Sequence, residues 1–169
     1  MPLDPRTGEP RRPWLAWLAG GLFFAGTAVV GVALLLLMWD SVYRFAEAGW
    51  LNRVTPTELG DPFRVVLVLG DFAIALIIGV AGSIAGYYGW AGHRWARVAG
   101  LIALALGAGT FALNWLAPWA LVPLAAGALI WWLPPLARFF AEWDAVRHPQ
   151  PAAAPQLEPV HYGPLPRFR

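Results

Sequence analysis

Long apolar blocks, each closed off by arginine, proline or tryptophan, leave this chain few ways to fold. Hydrophobic residues make up 59% of the chain and charged residues 13%, whereas a soluble domain is nearer half apolar and a quarter charged. A helix needs about 20 apolar residues to cross roughly 30 Å of hydrocarbon, and the blocks are of that size. The expectation is an all-α integral membrane protein whose residues 13–136 form four transmembrane helices in an antiparallel bundle. The spans fall at about 14–38, 63–90, 95–115 and 118–136, with one external loop at 39–62. Residues 1–12 read as a disordered cytoplasmic N-terminus, 137–148 as an interfacial amphipathic helix and 149–169 as a disordered, proline-rich cytoplasmic tail.

Local signals set the joints. Pro13 suits the opening of the first span. In the loop, Val42, Phe45, Ala46, Gly49 and Trp50 recur at helical spacing. Either the first span runs on or a short helix lies on the membrane surface, with Gly49 as a stop. Thr55-Pro56-Thr57-Glu58 is a capping-box pattern for another short turn of helix ending near Gly60. Asp61-Pro62 supplies an N-cap and a first-turn proline for the second span. Gly92-His93-Arg94 reads as a tight turn and Pro118 as the start of the last span, which is short and either kinks at Pro134-Pro135 and continues past them or thins the bilayer locally. Leu136, Phe139, Phe140, Trp143 and Val146 then give the amphipathic face. Tryptophans fall at successive boundaries, where an indole keeps its ring in hydrocarbon and its N–H near water.

Charge sets the orientation. All twelve basic residues are arginine. Arg6, Arg11, Arg12, Arg94, Arg97, Arg138, Arg147, Arg167 and Arg169 lie on the side of the termini, and only Arg44, Arg53 and Arg64 on the other. The positive-inside bias makes the topology N-in/C-in. The basic excess is accounted for by topology and anionic lipid, with no nucleic-acid surface required. Richness in Ala, Gly, Pro and Arg without lysine points to a GC-rich bacterial genome, hence to the bacterial inner membrane.

Two stripes of small residues stand out within the spans. Asp71, Ala75, Gly79, Gly82, Gly86 and Gly89 share one face of the second span. Ala96, Gly100, Ala103, Gly107, Thr110 and Asn114 share one face of the third. Small residues let helix backbones approach closely in lipid, and Gly82-Ser83-Ile84-Ala85-Gly86 is a GxxxG element. Folded as an antiparallel hairpin, the stripes pair 89 with 96 and so on down to 71 with 114, bringing Asp71 beside Asn114.

Asp71 is the one carboxylate deep within a span, and such groups are costly in lipid. It reads either as a structural carboxylate tied to Asn114, Thr110 or water, or as a contact to a partner subunit, or as a protonatable group in an ion path. No cofactor or metal site is expected: the chain has no cysteine, and His93, His148 and His161 all fall outside the spans. Ser83 has no neighbouring base, so no catalytic residues are assigned. The reading is a noncatalytic accessory, assembly or regulatory subunit of a larger membrane complex. Its partners are the lipid bilayer and another membrane protein or a second copy of itself. The alternative is a small proton- or ion-coupled transporter using Asp71.

Overall fold

A computed structural model of the chain describes residues 9–149, and these are helical with no β-strand. The expected tail at 149–169 and the first eight residues lie almost wholly outside the described part.

Helix α1 spans Trp14–Tyr43. The Ala16 N–H bonds to the Pro13 carbonyl at 2.9 Å, so Pro13 opens the helix from the N-cap position. The helix runs on past the expected end near 38. Two short helices follow, α2 at Phe45–Ala48 and α3 at Trp50–Val54, with Gly49 extended between them. They do not lie apart on a surface. The Trp50 N–H donates to the Leu113 carbonyl at 2.9 Å, and a Cβ on Gly49 would stand 3.2 Å from that oxygen. The Thr55–Glu58 capping box starts no helix. Only Leu59 and Gly60 follow it before the next joint, and Gly60 has φ +91°, so the segment closes a single turn, the Asp61 N–H on the Glu58 carbonyl at 3.1 Å, and no helix propagates from it. Thr57 instead accepts the Arg64 guanidinium, through Oγ1 at 3.1 Å and its carbonyl at 3.0 Å.

Helix α4 spans Phe63–Trp90, and its first N–H donates to Asp61 Oδ1 at 2.8 Å. Its far end is closed by Gly92 at φ +80°. The Gly92 N–H returns to Gly89 and the His93 N–H to Tyr88, the bond pair of a glycine-terminated helix. Helix α5, Ala96–Leu106, tightens into a 3-10 segment over Gly107–Ala112 and breaks at Leu113-Asn114. Another 3-10 turn, Ala117–Ala120, leads into α6 at Leu121–Trp131. The expected kink is present: α7, Pro134–Arg147, leaves at 68°.

Two helices, α1 and α4, are long and apolar enough to cross a membrane, or three if the bent pair from Ala117 to Arg147 is one crossing; Ala96–Ala112 is a shorter apolar helix. Their outer faces are apolar. Leu35, Val65 and Leu69 are 71%, 61% and 60% exposed, and rows of such side chains have no place on a water-soluble surface. This is the build of a membrane protein.

The interior centres on one aromatic pair. Phe23 of α1 stacks on Trp131 of α6 with ring centres 4.5 Å apart, and both are fully buried. Glycines from three helices make room for it. A Cβ on Gly86 would stand 3.0 Å from Phe23 Cβ, one on Gly127 2.9 Å from the Phe23 ring, and one on Gly100 3.0 Å from the tip of that ring. One on Gly89 would lie 1.9 Å from Trp131.

The small-residue stripes therefore do not nest against each other as the sequence implies. Gly79 and Gly82 of α4 face Thr27 of α1, Gly86 faces Phe23, and Gly89 faces Trp131. Gly100 of α5 faces the same aromatic pair, and Gly107 faces Leu121 and Leu124. Ala75, Ala96 and Ala103 are buried with them. Helices α4 and α5 do pack together, but at another azimuth, with Gly109 between Ile74 and Ile78. The level along the axes agrees with a pairing of 75 with 110; the facing sides differ.

Helix α7 folds its apolar face onto the protein rather than away from it. Leu136, Phe139, Phe140 and Trp143 are buried. Phe140 meets Trp131 edge-on, and Trp143 fills the space beside Gly92.

Candidate functional site

The residues singled out by the sequence divide into one sealed carboxylate and a set of polar side chains that bond backbone. Asp71 lies in the third turn of α4, 0% exposed, and neither carboxylate oxygen has a hydrogen-bond partner. The expected pairing with Asn114 or Thr110 is not formed. Asn114 Nδ2 donates to the Ala33 carbonyl of α1 at 2.7 Å, while its Oδ1 accepts the N–H groups of Leu116 and Ala117, each at 3.2 Å. The break after α5 frees backbone N–H groups that must find partners, and Asn114 is placed to receive them. Thr110 Oγ1 donates to the Gly107 carbonyl at 2.6 Å, the three-residue return that suits a 3-10 turn. Thr27 Oγ1 likewise donates to the Gly79 carbonyl at 3.3 Å.

Asn52 of α3 was not singled out by its sequence. It is 1% exposed, and both atoms of its amide lack a partner. A polar residue in a short amphipathic helix reads as outward-facing, so nothing in its neighbourhood marks it. Ser83 lines an apolar groove of about 350 Å³ between α1 and α4 that also holds Thr27, Gly31, Ala75 and Gly79. The groove opens outward and brings no base to the hydroxyl.

The two ends of the molecule differ in chemistry. At the end carrying α7, arginines stack on aromatic rings. The Arg12 guanidinium lies 4.5 Å from the Trp90 ring centre and 5.1 Å from that of Trp143. Arg97 donates to the Trp131 carbonyl at 2.9 Å and lies 5.2 Å from the rings of Trp132 and Phe140. Arg147 donates to the Ala91 and Gly92 carbonyls, placing positive charge where α4 presents its negative end. Arg94 pairs with Asp144 at 3.1 Å, and His148 lies 3.4 Å from the same carboxylate. His93 sits edge-on to Tyr88 in the α4–α5 turn. Burial, with the Arg147 charge adding to it, lowers its pKa below the ordinary histidine value. His161 lies outside the described residues.

At the other end, Asp40, Arg44, Glu47, Arg53 and Arg64 surround α2 and α3. Among the described residues no group of three or more His, Asp or Glu side chains is placed to hold a metal ion. No family model, curated protein or solved structure matches this chain. The geometry alone has to carry the functional reading.

Proposed function

We propose that this chain is a four-span bacterial inner-membrane protein, both termini in the cytoplasm, that serves as a noncatalytic accessory, assembly or regulatory subunit of a larger membrane complex. Lengths support four crossings. A 3-10 segment rises about 2.0 Å per residue against 1.5 Å in an α-helix, so Ala96–Ala112 extends for ~28 Å, close to a hydrocarbon thickness of roughly 30 Å. Connectivity supports an antiparallel arrangement, because the start of α1 and the end of α4 meet through Trp17 and Trp90, ring centres 5.2 Å apart. Arg11, Arg12, Arg94, Arg97, Arg138 and Arg147 gather toward that end and Arg44, Arg53 and Arg64 toward the other, which favours the α7 end as cytoplasmic.

The observation that carries the accessory role is how three of the interior polar side chains are engaged, Asp71 and Asn52 being left without a partner. Thr27, Thr110 and Asn114 all bond main-chain carbonyls, locking helices and turns to one another, and the centre is filled by Phe23 and Trp131. Such an interior is built for shape, and the apolar outer faces are left for lipid and a membrane partner. Purification in mild detergent at native expression should recover a stoichiometric membrane partner or a defined homo-oligomer; a clean monomer with no companion would sink the proposal. Because the sequence has no cysteine, single-cysteine labelling needs no background removal. A cysteine at exposed Glu58 should react with an impermeant maleimide from outside intact cells, and one at His148 should not.

One observation favours the second reading, a proton- or ion-coupled transporter. Asp71 is completely enclosed and unpartnered in the protein, and intramembrane carboxylates of that kind recur in ion paths. Liposomes carrying the wild-type chain would then show a flux that Asp71→Asn abolishes.

A further inference from the structure

Where α1 ends, the α2–α3 segment and the break after α5 enclose a pocket of about 300 Å³. That volume is at the lower bound of small-ligand sites. Its walls combine three kinds of group: the carboxylates of Asp40 and Glu47, the guanidinium of Arg53, and the rings of Trp50 and Trp115. The apolar run of α1 stops at Met38, two residues short of Asp40, so in a crossing helix the pocket stands at headgroup depth. Trp50 and Trp115 are 53% and 76% exposed, as indoles are in the interfacial belt.

Charge narrows the ligand. Arg44 reaches both carboxylates, Asp40 at 3.4 Å and Glu47 at 3.8 Å. These are long, exposed contacts of the kind that contributes little, and they leave each carboxylate an oxygen to spare. Arg53 makes no ion pair or hydrogen bond with a described side chain. The walls carry two carboxylates and the guanidinium of Arg53, and Arg44, which stands outside the walls, balances the remaining charge, so the site as a whole offers no net attraction to a singly charged ligand. It offers separate poles instead. An anion suits the free guanidinium of Arg53, which receives phosphate oxygens through paired N–H donors. An ammonium suits Asp40 and Glu47, flanked by aromatic faces that attract cations.

We propose that this pocket binds the headgroup of a zwitterionic phospholipid of the phosphoethanolamine class, with its phosphate at Arg53 and its ammonium on the oxygens of Asp40 and Glu47 that Arg44 leaves free, against Trp50 and Trp115. The assignment rests on the membrane-spanning reading above. It adds a lipid preference on the non-cytoplasmic face that the accessory role does not require.

The test is native mass spectrometry of the full chain in mild detergent, titrated with dihexanoyl phosphatidylethanolamine, dihexanoyl phosphatidylglycerol and free phosphoethanolamine. One phosphatidylethanolamine should bind per chain, about tenfold tighter than phosphatidylglycerol. Arg53→Gln should weaken it about tenfold, with partial recovery in Arg53→Lys. Glu47→Gln should lower the preference over phosphatidylglycerol, and Trp115→Leu serves as a second variant that leaves the charges intact. Equal affinity for the two lipids, or undiminished binding by Arg53→Gln, overturns the proposal. Free phosphoethanolamine binding as tightly as the lipid overturns the lipid source and leaves a soluble phosphoamine as the ligand. A chain recovered from the soluble fraction without detergent would defeat the membrane reading itself; a membrane-embedded chain without headgroup preference defeats only this assignment.

Discussion

Helices α1 and α4 run 30 and 28 residues without a break, whereas α5 and α6 hold 11 α-helical residues each and are lengthened by 3-10 turns. The long pair closes its own hydrogen bonds along its length. In the interrupted pair, backbone groups are freed at Leu113-Asn114 and at Trp132-Leu133, and freed groups in an apolar setting need partners. Those partners come from neighbouring backbone and from side chains: the Trp50 N–H takes the Leu113 carbonyl, the Trp132 and Leu133 N–H groups return to Leu129 and Ile130, Asn114 accepts the N–H groups just after its break and reaches Ala33 of α1, and Arg97 takes the Trp131 carbonyl. Residue chemistry accounts for the breaks. Gly107, Gly109 and Thr110 favour the tighter turn, and Pro118 and Pro134 cannot continue a preceding helix. A continuous helix is stabilised locally; an interrupted one depends on what it is docked against. Substitutions at the contacts between the pairs should therefore cost more than substitutions within the long helices.

The sharpest test lies at Gly89, where the long pair receives Trp131 of the interrupted pair. A Cβ there would be 1.9 Å from a fully buried ring. Gly89→Ala should lose about 3 kcal/mol by overpacking, although alanine gains up to roughly 1 kcal/mol over glycine in helix propensity. Trp131→Phe added to it should recover part of the loss. Gly70, in the same helix, has nothing within 4 Å of its Cβ position, so Gly70→Ala should be neutral or stabilising. Thermal unfolding in detergent ranks the three, and equal melting of Gly89→Ala and Gly70→Ala would remove the aromatic notch.

Asn114→Ala should come next. It deletes the tether to Ala33 and leaves the Leu116 and Ala117 N–H groups without their acceptor. With side-chain hydrogen bonds in membranes averaging near 0.6 kcal/mol, the loss should be about 1–2 kcal/mol. Hydrogen exchange should rise at 113–120 while α1 and α4 stay protected. Uniform loss of protection would mean that the two pairs open together.

The sequence made the long pair legible and the interrupted pair only in outline. The starts at Trp14 and Phe63, the end at Trp90 and the kink at Pro134-Pro135 follow from caps and prolines that act locally. The level of α4 against α5 was legible too, because repeating small residues set an axial register. Their azimuth was not. A glycine stripe records that something approaches closely, and a helix backbone and an aromatic ring leave the same pattern of missing side chains. Phe23 and Trp131 sit in blocks where every neighbour is apolar, so no contrast marks them as the group being accommodated. The pairing of Asp71 with Asn114 failed for a similar reason: spacing placed the two at one level, but the freed backbone beside Asn114 was the nearer claim on its amide. Asn52 was hidden because its burial comes from α3 folding against α4 and the α5 end, a contact distant in sequence.

Asp71→Leu separates structure from function within the long pair. The carboxyl is enclosed with neither oxygen bonded, so an apolar side chain of similar length should raise stability by about 1 kcal/mol. A more stable chain that still joins its partner complex fits the accessory role. A more stable chain that has lost an ion flux would transfer the assignment to the transport reading. Destabilisation would mean that the acid holds the fold through contacts of its own.

The smallest effect is expected at the turn that links the two pairs. Burial and the Arg147 guanidinium lower the His93 pKa in the folded chain below its ordinary value near 6.5. The unfolded chain then binds the proton first as pH falls, so protonation favours unfolding. Stability from this group is full above the ordinary value and declines as pH drops through it, levelling once the lowered folded value is passed. His93 is half-buried at the rim of the turn, where solvent still screens charge effects, so the melting temperature should fall only slightly between pH 7.5 and 5.5 on its account. His93→Gln should remove that portion of the slope. Arg147→Gln should reduce it as well, because one of the two causes is then gone, and would also free the Ala91 and Gly92 carbonyls. A slope that survives His93→Gln but vanishes in Arg147→Gln would place the sensitivity in the docking of α7 rather than in the imidazole.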